Sequence, residues 1–251
     1  MLLLKVKMSK ESKISILLLM IPLIVSSLLF LPIHEEFTTK GDIEPITEFG
    51  IDGSVYFTYV HSGIIENYLE KFFLDLQHDD IEYLTLNDYE YDYYTTEYEN
   101  DVQYYKEQTI VNAVNLTSEH EPKAENQDRI SDIMYEAREY YGDSFGLMVA
   151  VGLLEEELSK DYSRGESLLI SGTGTIEKDQ SVGSVGAIRY KLLTAEENGV
   201  DIFFVPKDEA YYGEASNQRK AINVLRQEDL ELEVVYVSTL QEAINFLENL
   251  N

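Results

Sequence analysis

The sequence contains no cysteine and is poor in basic residues. Without cysteine, the 251-residue chain can form no disulfide, no thiolate metal site and no cysteine nucleophile, so its stability must come from packing. Its 19 Lys and Arg residues stand against 47 Asp and Glu residues, which gives a formal net charge of −28. Because nucleic acids are bound by basic surfaces, this balance argues against a nucleic-acid partner.

Nucleotide-binding motifs are also missing. The chain contains no Gly-Lys pair and therefore no phosphate-binding loop of the G-x-x-x-x-G-K-[ST] type. We predict no ATP, no other cofactor and no metal ion, and any reaction should be independent of ATP.

A long apolar run occurs once, near the N-terminus. Residues 14–33 carry no charge and would form a helix of about 30 Å, enough to cross the hydrocarbon core of a bilayer. A cleaved signal peptide is the alternative, but its apolar part is usually about 7 to 15 residues long and ends at a small-residue cleavage site. The basic tail, residues 1–13, should stay in the cytoplasm. We predict a single-pass protein of the cell membrane that contacts lipid through this helix and places residues 34–251 outside the cell.

Residues 34–113 are predicted to form an acidic, tyrosine-rich region outside the membrane. Residues 34–50 show no period, which is typical of a stalk or of the approach to a first strand. Alternating and β-branched residues predict a strand over 53–60, and apolar residues at every fourth position predict a helix over 64–76.

Residues 83–105 are dense in tyrosine and acid. Such a segment could be a cation-binding or partner-binding surface, since carboxylates attract calcium and tyrosines make good contact residues. The simpler interpretation is the solvated face of a helix or loop. We favour the simpler one, because no EF-hand-like spacing is present.

The pattern changes after a polar stretch, residues 114–128, which contains Pro122 and predicts a linker. From residue 129 to 251, helical and strand patterns alternate. We therefore predict an α+β fold with an α/β C-terminal half. The predicted helices cover 129–141, 145–158, 185–199, 214–227 and 239–250, and the predicted strands cover 166–171, 173–176, 200–206 and 231–237.

The pentapeptide GDSFG, residues 142–146, is a G-x-S-x-G motif that could hold a nucleophilic serine, Ser144. All four histidines precede it, so the Ser, acid, His order of α/β-hydrolases is impossible. The trypsin-like order His, Asp, Ser is allowed by His61 or His120, but nothing around them resembles a double β-barrel. A lysine is the remaining base, provided that burial lowers the pKa of its amine towards neutrality.

Lys191 is the lysine that fits this requirement. It shares one helical stripe with Ile188, Leu192 and Ala195, whereas the other lysines after Ser144 occupy polar surroundings. The alternative is a lysine at the edge of the stripe whose ammonium group reaches water. On this pattern alone, both interpretations stay open.

Four segments carry a family resemblance: GDSFG, then ISGTGTI, then VGSVGAIRYKLLTAEENGVDIFFVP, then VSTLQEAINFL. In this order they resemble the proteolytic domain of Lon-type Ser-Lys peptidases, particularly the single-pass, membrane-anchored Lon-like proteases of Gram-positive bacteria. The likeness covers about residues 142–250 and implies a Lon-type catalytic domain over 129–251.

The resemblance implies roles for three residues. Ser144 matches the nucleophile, Lys191 the general base, and Thr173 a threonine that the family keeps beside the dyad. It implies a membrane-anchored, ATP-independent serine endopeptidase that cleaves surface or secreted peptides near the membrane.

The chain also departs from the family pattern. Asp143 and Phe145 flank the serine where small, uncharged residues are usual, and a carboxylate there should raise the pKa of Lys191. The membrane-anchored relatives carry a PDZ domain between anchor and protease, but only 28 residues, 113–140, separate the last predicted N-terminal element from the serine motif, which is too few for one. The second hypothesis is therefore a catalytically inactive relative whose acidic ectodomain binds a partner.

Overall fold

A computed structural model describes residues 9–117 and 124–250 of the chain, and the first eight residues of the predicted cytoplasmic tail lie outside these ranges. The described helices are α1 (Lys10–Leu29), α2 (Tyr68–Gln77), α3 (Asp88–Thr96), α4 (Tyr98–Thr117), α5 (Ala124–Glu136), α6 (Gly146–Leu158), α7 (Ile188–Glu197), α8 (Glu209–Tyr212), α9 (Asn217–Gln227) and α10 (Leu240–Glu248). The described strands are β1 (Pro32–Pro45), β2 (Tyr56–Asn67), β3 (Ile81–Thr85), β4 (Ile170–Gly172), β5 (Thr175–Ile176), β6 (Val182–Gly183), β7 (Ile202–Pro206) and β8 (Glu233–Val237).

The predicted mixture of helices and strands is confirmed, and the C-terminal elements lie close to their predicted positions. The N-terminal half needs three corrections. Residues 34–45, expected as a stalk or as the approach to a first strand, are themselves part of strand β1, and residues 64–67, expected as helix, continue strand β2. The expected linker 114–128 is helical at 114–117 and 124–128, while residues 118–123 lie outside the described residues.

Strand β1 is the centre of an antiparallel sheet with the order β2-β1-β3. It pairs along most of its length with β2 and over five residues with β3. Pairing on both edges explains why a polar segment forms a long strand, since the partners satisfy its backbone groups. This sheet forms one wall beside Ser144.

The C-terminal half contains a parallel sheet with the order β4-β7-β8. Its middle strand, β7, is buried throughout: Phe204 packs into one cluster with α6 and α10, and Phe203 packs into another with α7 and α9. A strand covered by helices on both faces is expected to be continuously apolar. This packing fixes α6 and α7, which carry the predicted site.

The hydrophobic core is continuous across the expected linker. Phe49 and Phe57 from the N-terminal region pack in one cluster with Ile110 of α4 and Leu147 of α6. The two regions on either side of residues 114–128 are therefore held together by shared apolar contacts.

Helix α1 stands outside this core. None of its residues is buried, and it is the one described helix that is long and apolar enough to cross a membrane. Helix α2 contacts it and exposes an aromatic face, with Phe72 50% and Phe73 53% exposed. Exposed apolar surface therefore concentrates where the chain leaves α1.

Candidate active site

Ser144 lies in the turn that precedes helix α6. The local structure explains why both flanking positions of its pentapeptide are glycine. Gly142 has φ +90°, a conformation that favours glycine. A Cβ on Gly146 would lie 2.1 Å from Oγ1 of Thr109 and 2.9 Å from the backbone nitrogen of Ile176. The motif thus lets the start of α6 approach helix α4 and strand β5 closely.

Two neighbouring residues fix the backbone of Ser144. Its carbonyl oxygen accepts hydrogen bonds from the backbone N–H of Gly174 at 2.8 Å and from Oγ1 of Thr173 at 3.2 Å. The carbonyl of Gly174 in turn accepts from the N–H of Leu147 at 2.9 Å. The GTGTI segment therefore holds the serine turn by hydrogen bonds. This contact places the GDSFG and GTGTI segments in one site.

Lys191 is buried, with 3% of its surface exposed, which decides between the two interpretations of its helical phase. The other lysines after Ser144, at positions 160, 178, 207 and 220, are exposed. Nζ of Lys191 donates a hydrogen bond to Oγ1 of Thr173 at 2.9 Å. Burial lowers the pKa of Lys191 from 10.5 to about 7, against the opposing effect of the Asp143 carboxylate. The amine is therefore available as a base near neutral pH.

Thr173 joins the two other predicted residues. Its hydroxyl accepts from Lys191 and donates to the Ser144 carbonyl, so its single proton is committed to the serine backbone. Within the described residues, the Ser144 hydroxyl makes no hydrogen bond to Lys191. The structure brings all three residues into one site, with Thr173 as the link between base and serine turn.

Asp143 has a weaker effect on Lys191 than burial has. As predicted, the carboxylate of Asp143 acts to raise the pKa of Lys191. Burial lowers this pKa by more than Asp143 raises it. The pKa of Asp143 is itself raised, chiefly because the residue is desolvated, although Lys191 opposes this rise. The pKa of Lys191 therefore stays well below its ordinary value despite the carboxylate of Asp143.

Phe145 lies in the core. Its side chain is 3% exposed and its ring packs edge-on to Phe49, with 5.1 Å between the ring centroids. The ring thus packs into the core at the bottom of the cleft that Ser144 also lines.

Ser144 and Lys191 face a cleft of about 220 Å³ between them and the β1–β2 sheet. Ser144 and Lys191 both line it, and tyrosines supply much of its wall: Tyr59, Tyr98, Tyr140 and Tyr141. A larger cavity of about 660 Å³ lies elsewhere, beside Ser54 and Ser163, and none of the three predicted residues lines it. The smaller cleft is the candidate site because it holds the serine and the buried lysine, although the other cavity is larger.

Backbone donors are available next to the serine. In the part of the chain that the structure describes, the N–H groups of Ser144 and Phe145 donate no backbone hydrogen bond, whereas those of Gly146 and Leu147 are engaged. Unpaired N–H groups at the start of a helix can bind a developing oxyanion.

Sequence reasoning missed Lys106, a second buried lysine. It is 0% exposed, and its Nζ donates to the carbonyl oxygens of Ala137 and Tyr140, just before the serine turn. Burial lowers the pKa of Lys106. Its helical phase with Val102, Ile110 and other buried residues of α4 was the available signal.

No metal site accompanies this arrangement: residues 9–117 and 124–250 hold no group of three or more His, Asp or Glu side chains placed to bind an ion. In comparisons with known proteins, no family model and no curated protein matches the chain. The interpretation of the site therefore depends on its own geometry.

Proposed function

We propose that the chain is a membrane-anchored, ATP-independent serine endopeptidase in which Ser144 is the nucleophile and Lys191 the general base. One observation carries this proposal: a fully buried lysine with a pKa of about 7 is tied through Thr173 to the turn that holds Ser144, in an open cleft. The Lon-like order of the sequence segments supports the same assignment.

The reaction would proceed by acyl transfer. Neutral Lys191 removes the proton from the Ser144 hydroxyl as its oxygen attacks a peptide carbonyl, and the N–H groups of Ser144 and Phe145 stabilise the oxyanion. The lysine ammonium then gives that proton to the leaving amine, which leaves an ester on Ser144. Water, deprotonated by Lys191, hydrolyses the ester and restores the enzyme.

The hydrogen bond to Thr173 fits this role of Lys191. A neutral amine has two protons and one lone pair. One N–H is used by Thr173, which orients the side chain and leaves the lone pair free for the serine hydroxyl.

A serine-reactive fluorophosphonate tests the proposal on the full chain in lipid nanodiscs. We expect the wild type to be labelled, Ser144→Ala to be unlabelled, and Lys191→Met to react at least about a hundredfold more slowly, because a general base typically contributes 10² to 10⁴ in rate. The exposed residue Ser131 gives the control Ser131→Ala, which should label like the wild type.

The second candidate is a partner-binding membrane protein without activity. The missing hydrogen bond between Ser144 and Lys191 is the observation that favours it. A folded wild type that stays unlabelled from pH 6 to pH 10 would overturn the peptidase proposal and establish this alternative as the better one.

We further propose that α1 spans a bilayer with the basic flank on the cytoplasmic side, and that the aromatic face of α2 lies in the outer interface. The contact of α2 with α1 and the exposure of Phe72 and Phe73 support this placement. Aromatic side chains are favoured at the headgroup level of a membrane.

The absence of tryptophan makes this placement testable by fluorescence. We expect the single tryptophan of a Phe73→Trp variant to be quenched by brominated phosphatidylcholine, because its indole would lie among lipid. A tryptophan at the 88% exposed Tyr211 of α8, in a Tyr211→Trp variant, should not be quenched. Equal quenching of both variants, or of neither, would contradict the placement of α2.

A further inference from the structure

A second pocket opens beside the catalytic cleft, and tyrosine rings form its walls. It measures about 200 Å³, and Glu36, Tyr94, Tyr98 and Tyr141 line it together with the backbone of strand β2. We call these four residues the tyrosine cage. Three of them come from the acidic, tyrosine-rich N-terminal region, and Tyr141 precedes the serine turn.

The rings are arranged as walls and not as a parallel stack. The centroids of Tyr94 and Tyr98 are 4.6 Å apart with their planes at 58°, and those of Tyr98 and Tyr141 are 5.8 Å apart at 44°. Glu36 closes one side, since its carboxylate accepts a hydrogen bond from the Tyr94 hydroxyl at 2.9 Å. Tilted aromatic faces beside a carboxylate are the usual surroundings of a bound organic cation.

The cage has no cation of its own. In the described ranges, Glu36 forms no ion pair, and the pocket lining includes no Lys, Arg or His. Elsewhere this chain places its own cations over tyrosine rings: Lys71 lies 3.9 Å from the centroid of Tyr83, and Arg138 lies 4.2 Å from that of Tyr135. The cage therefore has the aromatic faces and the carboxylate of a cation-binding site, but no cationic side chain of this chain lines it.

Electrostatics favour a positive guest at this position. Two carboxylates lie near the cage wall: the pKa of Tyr98 is raised chiefly by burial and further by the negative charges of Glu36 and Asp143. The net charge of −28 adds long-range attraction for a cation.

The cage and the catalytic cleft are continuous. Glu36, Ser62, Tyr98 and Tyr141 line both of them. Tyr141 is three residues from Ser144 in sequence, so their Cα atoms are at most about 11 Å apart. A peptide held at Ser144 would therefore reach the cage with a side chain only a few residues from the bond being cleaved.

We propose that the tyrosine cage binds the side chain of an arginine or lysine residue and so makes the protein selective for basic peptides. The claim that these peptides are substrates rests on the proposed peptidase function, but the binding site does not.

Binding to a chain that cannot cleave tests the cage directly. The full chain carrying Ser144→Ala, in phosphatidylcholine nanodiscs, is titrated calorimetrically with the peptides acetyl-Ala-Ala-Xaa-Ala-Ala-Ala-amide, where Xaa is arginine, lysine or citrulline. Citrulline has nearly the shape of arginine without its charge. We expect the arginine peptide to bind about five- to tenfold more tightly than the citrulline peptide.

Matched variants separate the cage from general attraction to an acidic protein. Tyr98→Leu and Glu36→Gln should reduce the preference for arginine to less than about twofold, while Tyr98→Phe, which keeps the ring, should preserve it. The exposed residues Tyr211 and Glu157 provide the controls Tyr211→Leu and Glu157→Gln, which should change nothing. Equal binding of arginine and citrulline peptides, or equal losses in the cage and control variants, would overturn the proposal.

The binding experiment and the labelling experiment test the two proposals separately. An arginine preference in a protein that fluorophosphonate never labels would leave the cage standing and reject the peptidase. Labelling of a protein that shows no preference for the arginine peptide would support the peptidase and reject the cage.

Discussion

A Lys191→Met variant should be more stable than the wild type at pH 7, although it should be inactive. Methionine has a similar length and needs no hydrogen bonds, whereas the buried amine of Lys191 must either lose its proton or carry charge in the core. Thr173 keeps its bond to the Ser144 carbonyl in the variant. We therefore expect the free energy of unfolding to rise by a few kcal/mol.

The pH dependence of this difference identifies its cause. Because the pKa of Lys191 is about 7 in the folded protein and 10.5 ordinarily, the unfolded chain binds more protons between these pH values. The free energy of unfolding of the wild type should therefore rise with pH from about 7 to about 10.5 and stay low below that window. The advantage of Lys191→Met should be largest below pH 7 and shrink as the pH approaches 10.5.

Urea denaturation of both proteins at several pH values measures this difference, and other titrating groups cancel in the comparison. The exposed residue Lys220 gives the control Lys220→Met, which should show no such trend. A variant less stable than the wild type by the same amount at every pH would show that Lys191 is a structural lysine with an ordinary pKa. The same ionisation should make the labelling rate fall about tenfold for each pH unit below 7.

Replacing Glu155 should have the opposite effect on stability. Glu155 is 1% exposed on helix α6, and its carboxylate accepts hydrogen bonds from the N–H of Ser54 at 2.7 Å, the hydroxyl of Ser54 at 2.6 Å and the N–H of Tyr162 at 2.8 Å. Glu155→Leu would leave these donors without their acceptor in the interior. We expect the free energy of unfolding to fall by about 3 to 5 kcal/mol, the range for removing one partner of a buried charged group.

The neighbouring residue Glu157 is exposed on the same helix, so Glu157→Leu is a matched control that should change stability by less than about 0.5 kcal/mol. Glu155→Gln keeps one acceptor oxygen and should lie between the two. Urea denaturation ranks the three variants. Equal stability of Glu155→Leu and Glu157→Leu would show that the loops holding Ser54 and Tyr162 find other partners for their donors.

The C-terminal half could be predicted from the sequence because its signals are local. The buried stripe of α7 follows from residue spacing, and β7 is apolar throughout because helices cover both of its faces. Spacing left two interpretations of Lys191 open, a core-facing lysine and an edge lysine that reaches water, and the structure shows the buried one. The link through Thr173 is consistent with the role that the family resemblance implied.

The N-terminal half could not be predicted in the same way, because its structure depends on distant partners. Strand β1 contains charged residues, a glycine and two terminal prolines, and its conformation is set by pairing with β2 and β3. The cage combines Glu36, the pair Tyr94 and Tyr98, and Tyr141, three places that are far apart in sequence. Its residues look like parts of a solvated surface until the fold brings them together.

The connection between α1 and β1 is very short, since two residues, Phe30 and Leu31, separate Leu29 from Pro32. The Cα atoms of Leu29 and Pro32, three residues apart, can therefore lie at most about 11 Å from each other. If α1 spans a bilayer as proposed, this short connection would keep the cleft within a narrow range of distances from the lipid surface. A substrate of the proposed peptidase would then be selected first by the distance of its segment from the membrane and only afterwards by its sequence.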